Sequence, residues 1–158
     1  MSNKRGLFFV FEGGEGSGKS TQAKLLVDAL QKIGIKILLT KEPGGDEGVC
    51  RDIRKVLLNP DHKGIMSSRA ELLLFEADRA QHVDGKILPA LEAGESVVCD
   101  RYEASTDAYQ CGARGLDARK FREINRFATN ELTPDFTFWI DIDPIVGLQR
   151  NKDAQKRD

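Results

Sequence analysis

Eight residues near the N-terminus, Gly13-Gly14-Glu15-Gly16-Ser17-Gly18-Lys19-Ser20, have the types and spacing needed to hold a polyphosphate. They fit G-x-x-x-x-G-K-S/T, the phosphate-cradling P-loop, and Thr21 follows. The glycines let the backbone turn tightly and aim its N–H groups inward, where a Cβ would interfere. Lys19 adds a mobile full charge for the β- and γ-phosphates, and the Ser20 hydroxyl occupies the position that ligates Mg²⁺. A second pair, Asp100-Arg101, closes the apolar run Val97-Val98-Cys99. A strand-terminal aspartate organises Mg²⁺, commonly through water. An adjacent guanidinium is suited to clamping an acceptor phosphate through two parallel N–H bonds. The chemistry implied is phosphoryl transfer, or nucleotide binding without transfer.

These residues need elements to position them. Leu7–Phe11 is an unbroken apolar run of strand length, suited to the centre of a parallel sheet covered on both faces. After the loop, Ala23, Leu26, Val27, Leu30 and Ile33 recur at helical spacing, and Gly34 fits the stop. Residues 35–40 read as a second strand. The loop Lys41-Glu42-Pro43-Gly44-Gly45 follows at its carboxyl end, where open α/β sheets bind ligands. Asp46 is a candidate cap for a helix reaching Leu58, with Arg51 and Arg54 one turn apart. By spacing alone these arginines read as a solvated basic face. Ser67 or Ser68 opens a long helix toward Leu91, with Glu71 at capping-box spacing from Ser68 and a kink at Pro89. Phe75 and Arg79 share one face of it, and by spacing alone Phe75 reads as core. Val97–Cys99 is a buried strand. Ser105, Tyr109 and Gln110 lie on a short helical segment. Residues 116–131 form a helix with Phe121, Ile124, Phe127 and Ala128 inward. Phe136–Asp141 is a further buried strand, and Asp143-Pro144 opens a last helix. The fold class is therefore α/β, a three-layer α/β/α P-loop arrangement with a central parallel sheet and helical crossovers.

The totals narrow the partners. With 158 residues the chain makes one domain with a real core. A net charge of −1, from 24 basic and 25 acidic side chains, points away from a nucleic-acid polymer or an anionic membrane as partner. No apolar run approaches the length of a membrane span, and no signal-peptide core opens the chain. Three widely spaced cysteines, Cys50, Cys99 and Cys111, read as reduced thiols of a cytoplasmic protein. His62 and His82 fall outside the motifs and are expected at the surface.

Several loop segments, in order, carry a closer likeness. Phe11-Glu12-Gly13-Gly14-Glu15 leading into the P-loop, Glu42-Pro43-Gly44-Gly45, Asp100-Arg101-Tyr102 followed by Ser105 and Ala108-Tyr109-Gln110, and Thr133-Pro134-Asp135 together resemble bacterial thymidylate kinase. The resemblance runs from about residue 7 to the end and implies a nucleoside-monophosphate-kinase fold, ATP and Mg²⁺ as cofactors, thymidylate (dTMP) as acceptor and a homodimer. It also implies roles. Residues 13–21 (Gly13, Gly14, Glu15, Gly16, Ser17, Gly18, Lys19, Ser20, Thr21) would hold the ATP phosphates, with Ser20 and Asp100 at the metal. Glu15 would face the sugar 3′-hydroxyl. Glu42 and Pro43 would belong to the acceptor loop. Phe75 would stack on the thymine and Arg79 would reach a base carbonyl. Arg54 and Arg101 would grip the acceptor phosphate. Ser105 and Gln110 would line the base pocket, and Tyr109 would crowd the 2′ position.

The P-loop contains no arginine, and in this family that goes with a basic lid, so Arg150, Lys152, Lys156 or Arg157 is expected to belong to one. The family normally runs further, through the rest of the lid, another strand and a final helix. On that comparison the chain ends inside the lid, and these residues alone are expected to be unstable or poorly active. Two other readings stand beside a dTMP kinase. One is a kinase for another acceptor, such as dUMP or AMP. The other is a nucleotide-dependent switch, against which Asn151-Lys152-Asp153-Ala154 lacks the acid of a guanine-reading N-K-x-D.

Overall fold

The computed structural model describes residues 5–44 and 48–155. Four strands form one parallel sheet in the order β2-β3-β1-β4, with β1 at Phe8–Gly13, β2 at Ile37–Lys41, β3 at Ser96–Asp100 and β4 at Phe136–Ile140. The apolar run of β1 alternates between two layers, as strand geometry requires. Phe8 and Val10 pack with Val97, Cys99, Val83, Ile87 and Leu91 on one face. Phe11 packs with Val98, Ala23 and Val27 on the other. The second layer is helix α1 (Lys19–Lys32), which starts directly from the glycine loop. It ends as the sequence predicts: Gly34 takes φ 81°, its N–H bonds Gln31 O at 2.9 Å, and the Ile35 N–H bonds Leu30 O at 3.1 Å.

Helix α2 spans Gly48–Leu58, and Asn59 caps a short 3₁₀ turn at Pro60–His62. The predicted cap Asp46 lies outside the described residues. Helix α3 covers Ser68–His82, and its cap is Ser67, whose hydroxyl accepts from the Ala70 N–H. Ser67 and not Ser68 is therefore the cap, and the Glu71 carboxylate pairs with Arg114 at 2.8 Å. The long helix is interrupted before Pro89, by a π-turn at Val83–Ile87, and resumes as α4 (Leu88–Glu92) with the proline in its first turn. The backbone stays helical through Ile87 and Leu88, so Pro89 lies within the helical run just after the π-turn.

After β3 come α5 (Glu103–Thr106) and a π-helical segment at Asp107–Ala113, then α6 (Ala118–Ala128), capped by Asp117. Phe127 is a correction, since it stands 88% exposed while Asn125 takes the inward position. A second correction concerns β4. It pairs with β1 on one side and lies at the sheet edge among the described residues, so Phe136, Phe138 and Trp139 are 50%, 40% and 63% exposed. Phe136 and Phe138 still stack on Phe9 and Phe11, with ring centroids 5.3 and 4.9 Å apart. Helix α7 (Pro144–Gln155) follows, with the Asp143 side chain accepting from the Ile145 N–H at 2.7 Å. It seats against the P-loop through two glycines: a Cβ on Gly16, whose φ is 67°, would stand 2.0 Å from Gly147 O. No helix among the described residues is long and apolar enough to cross a membrane.

Candidate active site

Parallel register brings the two chemical motifs together. Phe11 of β1 pairs with Asp100 of β3, so the glycine loop leaves one strand beside the point where Asp100-Arg101 leaves the next. The Ser20 hydroxyl and Asp100 Oδ2 are hydrogen-bonded, and Asp100 Oδ1 is buried without a protein partner among the described residues. A buried, unpartnered carboxylate oxygen beside a hydroxyl fits a hydrated divalent cation, which the P-loop arrangement binds with few protein ligands. Lys19 is folded onto its own loop, with Nζ donating to Gly14 O at 2.6 Å. Burial and then the neighbouring Arg101 charge lower its pKa, while Asp100, Glu12 and Glu15 oppose that shift. Thr21 is exposed on α1.

A cavity of about 440 Å³ opens beside the loop, lined by Glu15, Glu42, Pro43, Phe75, Arg79, Arg101, Ser105 and Tyr109 among others. Eight residues the sequence assigned to the acceptor side or the P-loop acid thus converge on one space. A neighbouring cavity of about 510 Å³ shares Glu15, Arg101, Ser105 and Tyr109 and extends to Gly13, Gly14, Trp139, Asp141 and Leu148. Phe75 is half-buried on the wall, and not in the core that spacing alone suggested. Arg54 does not line the cavity; its Nη1 donates to Pro43 O at 2.7 Å. Arg51 stays exposed beside Asp52, so the solvated-face reading holds for one arginine of the pair. Glu15 accepts from Asn151 Nδ2 at 3.1 Å, which ties α7 to the loop. Arg150 is exposed on α7. The Gln110 and Lys152 side chains, Gly45, Lys156 and Arg157 lie outside the described residues.

Arg79 is the most constrained side chain here, at 1% exposure. Nε donates to Glu42 at 2.9 Å, Nη1 to Glu76 at 2.5 Å and Asn125 at 3.0 Å, and Nη2 to Thr106 at 2.8 Å and Tyr102 O at 3.3 Å. All five N–H donors are engaged. A base carbonyl reaching Arg79 must share a donor, and the long bond to Tyr102 O is the weakest competitor. Burial would lower the Arg79 pKa, but Glu42 and Glu76 raise it, so the guanidinium stays charged.

A family comparison decides what this geometry belongs to. The thymidylate kinase profile matches residues 11–158. The chain is 50% identical over 146 residues to a thymidylate kinase of Synechococcus sp. (strain JA-2-3B'a(2-13)), covering 92% of this chain and 69% of that protein. It is 50% identical over 142 residues to one from Cutibacterium acnes, covering 90% and 69%. The chain belongs to the thymidylate kinase family. The crystal structure of a thymidylate kinase from Ehrlichia chaffeensis superposes with a TM-score of 0.81 at 35% identity, over 97% of this chain and 86% of that one. The four-strand parallel sheet with flanking helices is thus the thymidylate kinase fold.

Sequence reasoning passed over several residues of this thymidylate kinase site. Glu12, next to last in β1, is 1% exposed and accepts from the Tyr102 and Ser105 N–H groups at 2.8 and 3.2 Å. A lone acid closing an apolar strand was the signal available. His82, expected at the surface, is 2% exposed, with Nε2 2.7 Å from Thr40 Oγ1 and Nδ1 3.3 Å from Glu42 Oε1. It sits on the helical face of Asp78 and Arg79 and so packs under the acceptor loop. Asp78 bonds the Gly44 N–H there. Arg114 pairs with Glu71 at 2.8 Å on the cavity rim. Ser105 lines the cavity, but its hydroxyl is held by Glu12 and Arg101.

Proposed function

We infer that this chain transfers the γ-phosphoryl group of ATP to thymidylate, giving ADP and thymidine diphosphate. The observation that carries the reading is the convergence of Pro43, Phe75, Arg79, Arg101 and Tyr109 on one cavity beside the P-loop, in a member of the thymidylate kinase family. The transition state is loose, so the protein's work is to align donor and acceptor and to neutralise charge. Backbone N–H groups of Gly13–Thr21 hold the donor phosphates, and Lys19 swings from Gly14 O onto them. Ser20 and Asp100 would hold Mg²⁺, which would supply charge neutralisation to the transferring phosphates. Arg101 is assigned to the acceptor phosphate where the γ-phosphoryl arrives, a role supported by its bordering both cavities. Arg54 acts on that phosphate from beside Pro43. Phe75 stacks on the base, Glu15 meets the sugar 3′-hydroxyl, and Tyr109 leaves no room for a 2′-hydroxyl. The attacking group is already a phosphate oxygen, so no strong general base is required. Arg150 on α7 is the described candidate for lid charge.

The same reading makes the protein a cytoplasmic homodimer, with the exposed side of α3 around Leu73, 55% exposed, as part of the contact. Light scattering coupled to gel filtration tests that assembly. Function is tested by ADP formation from Mg-ATP with dTMP, dUMP, dCMP, AMP, GMP or no acceptor. Turnover with dTMP well above the others is the expected result. Preference for another acceptor would overturn the pocket assignment and keep the fold.

A further inference from the structure

Arg101 adopts a backbone conformation that L-residues avoid, with φ 75°. Its surroundings over-determine that turn. The Arg101 N–H bonds Phe11 O at 2.9 Å, and the next N–H, that of Tyr102, bonds Glu12 Oε1 at 2.8 Å. Two consecutive residues of β1 therefore clamp the two amides that flank the Arg101 Cα.

The side chain is held from the same place. Ser105 Oγ donates to Glu12 Oε2 at 2.5 Å, and the Ser105 N–H donates to Oε1 at 3.2 Å. A serine hydroxyl has one proton. With that proton committed to Glu12, the Ser105 oxygen can only accept, and it accepts from Arg101 Nη1 at 2.8 Å. The same nitrogen reaches Gly13 O at 3.3 Å. Both protons of Nη1 are thereby used, and among the described residues Nε and Nη2 donate to nothing. The guanidinium is left with its Nε–Nη2 edge, the two-donor fork that fits two oxygens of a phosphate.

We propose that Glu12 is a positioning residue for the acceptor phosphate, acting through Ser105 to fix the turn and the guanidinium of Arg101. Three donors converge on the two oxygens of Glu12, a load that a carboxylate accepts and an amide, with one acceptor oxygen, does not. Burial at 1% exposure keeps water from replacing any of them. Glu12 itself need not touch substrate. The proposal rests on the acceptor reading above, in that Arg101 is taken to meet the phosphate.

The test pairs crystallography with kinetics on wild type, Ser105→Ala, Ser105→Thr and Glu12→Gln. In Ser105→Ala the Arg101 guanidinium should leave its wild-type place. KM for dTMP should rise about tenfold, as loss of a charge-assisted hydrogen bond implies, with KM for ATP little changed. Ser105→Thr, which keeps the hydroxyl, should restore both. Glu12→Gln should move the same readouts in the same direction. An unmoved guanidinium in Ser105→Ala overturns the proposal. So does an equal rise in both KM values alongside a fall in melting temperature, which is what a merely structural role gives. Should wild type turn over no dTMP, the functional reading fails. The crystallographic comparison still decides the proposal: a displaced Arg101 supports it and an unmoved one overturns it.

Discussion

The Ser20 hydroxyl and the Asp100 carboxylate meet across 80 residues of sequence, with the second Asp100 oxygen buried and unpartnered among the described residues. Adjacent parallel strands make the meeting possible, since β1 and β3 deliver their carboxyl ends side by side. Ligands of α/β sheets bind at those ends for the same reason.

Replacing Asp100 with Asn should therefore act on metal use. The variant keeps a hydrogen-bond partner for Ser20 and loses the charge. We expect kcat to fall roughly 100-fold or more and the Mg²⁺ concentration for half-maximal rate to rise. A Mg²⁺ titration at saturating ATP and dTMP checks this. An unchanged Mg²⁺ requirement would remove Asp100 from the metal site.

Phe75→Ala should weaken thymidylate and spare ATP. Phe75 is half-buried on the wall of the acceptor cavity, and base–aromatic stacking contributes about 1–3 kcal/mol. Calorimetric titration with each nucleotide separates the two. Equal losses would mean that the ring supports the fold and not the base.

Glu42→Ala should cost stability. Its carboxylate is 4% exposed and pairs with Arg79 at 2.9 Å, so its removal leaves the buried Arg79 Nε–H and the His82 ring without that acceptor, while Glu76 still balances the Arg79 charge. A buried donor left without its acceptor costs about 1–3 kcal/mol. Urea melts measure the loss, and Glu42→Gln, which retains an acceptor oxygen, should lose less. A melt within error of wild type would contradict the pairing.

Asp78 makes stability depend on pH. Burial pushes its pKa up to about 6, the Gly44 N–H opposes the rise, and the Glu42 charge adds to it. Its folded pKa lies above the unfolded value of 3.8, so the folded state binds more protons between the two. This contribution is present below pH 3.8 and is lost as pH rises through about 6. Asp78→Asn should flatten that part of the curve, read from melts at pH 4 to 7. A wild-type-like slope in the variant would assign the dependence to other groups, Glu76 first, whose pKa burial also raises.

Much of the site was legible because its chemistry is local. A P-loop needs only consecutive glycines, a lysine and a hydroxyl between a strand and a helix, and periodicity located both elements. Glu42-Pro43 and Asp100-Arg101 were legible for a similar reason, as polar residues at the ends of apolar strands. Phe75 and Arg54 were not, because a half-buried aromatic and an arginine on an amphipathic helix have the same local pattern whatever they face. The likeness to a known family suggested the roles proposed for them, and the tertiary structure supplied their neighbours.

By itself the sequence determined the phosphate-binding loop, the alternation of strands and helices around it, and the strand ends that carry acid and base. Only the tertiary structure decided which buried charges pair. Arg79 gathers Glu42, Glu76, Asn125 and Thr106 from four separate segments, and His82 leaves the surface to meet Thr40 and Glu42. It also decided that β4 lies at the sheet edge among the described residues and that Ser105 joins Glu12 to Arg101. Such pairings depend on strand order and helix rotation, which bring together residues far apart along the chain. Periodicity reports which face of an element is apolar, and not what the opposite face will meet.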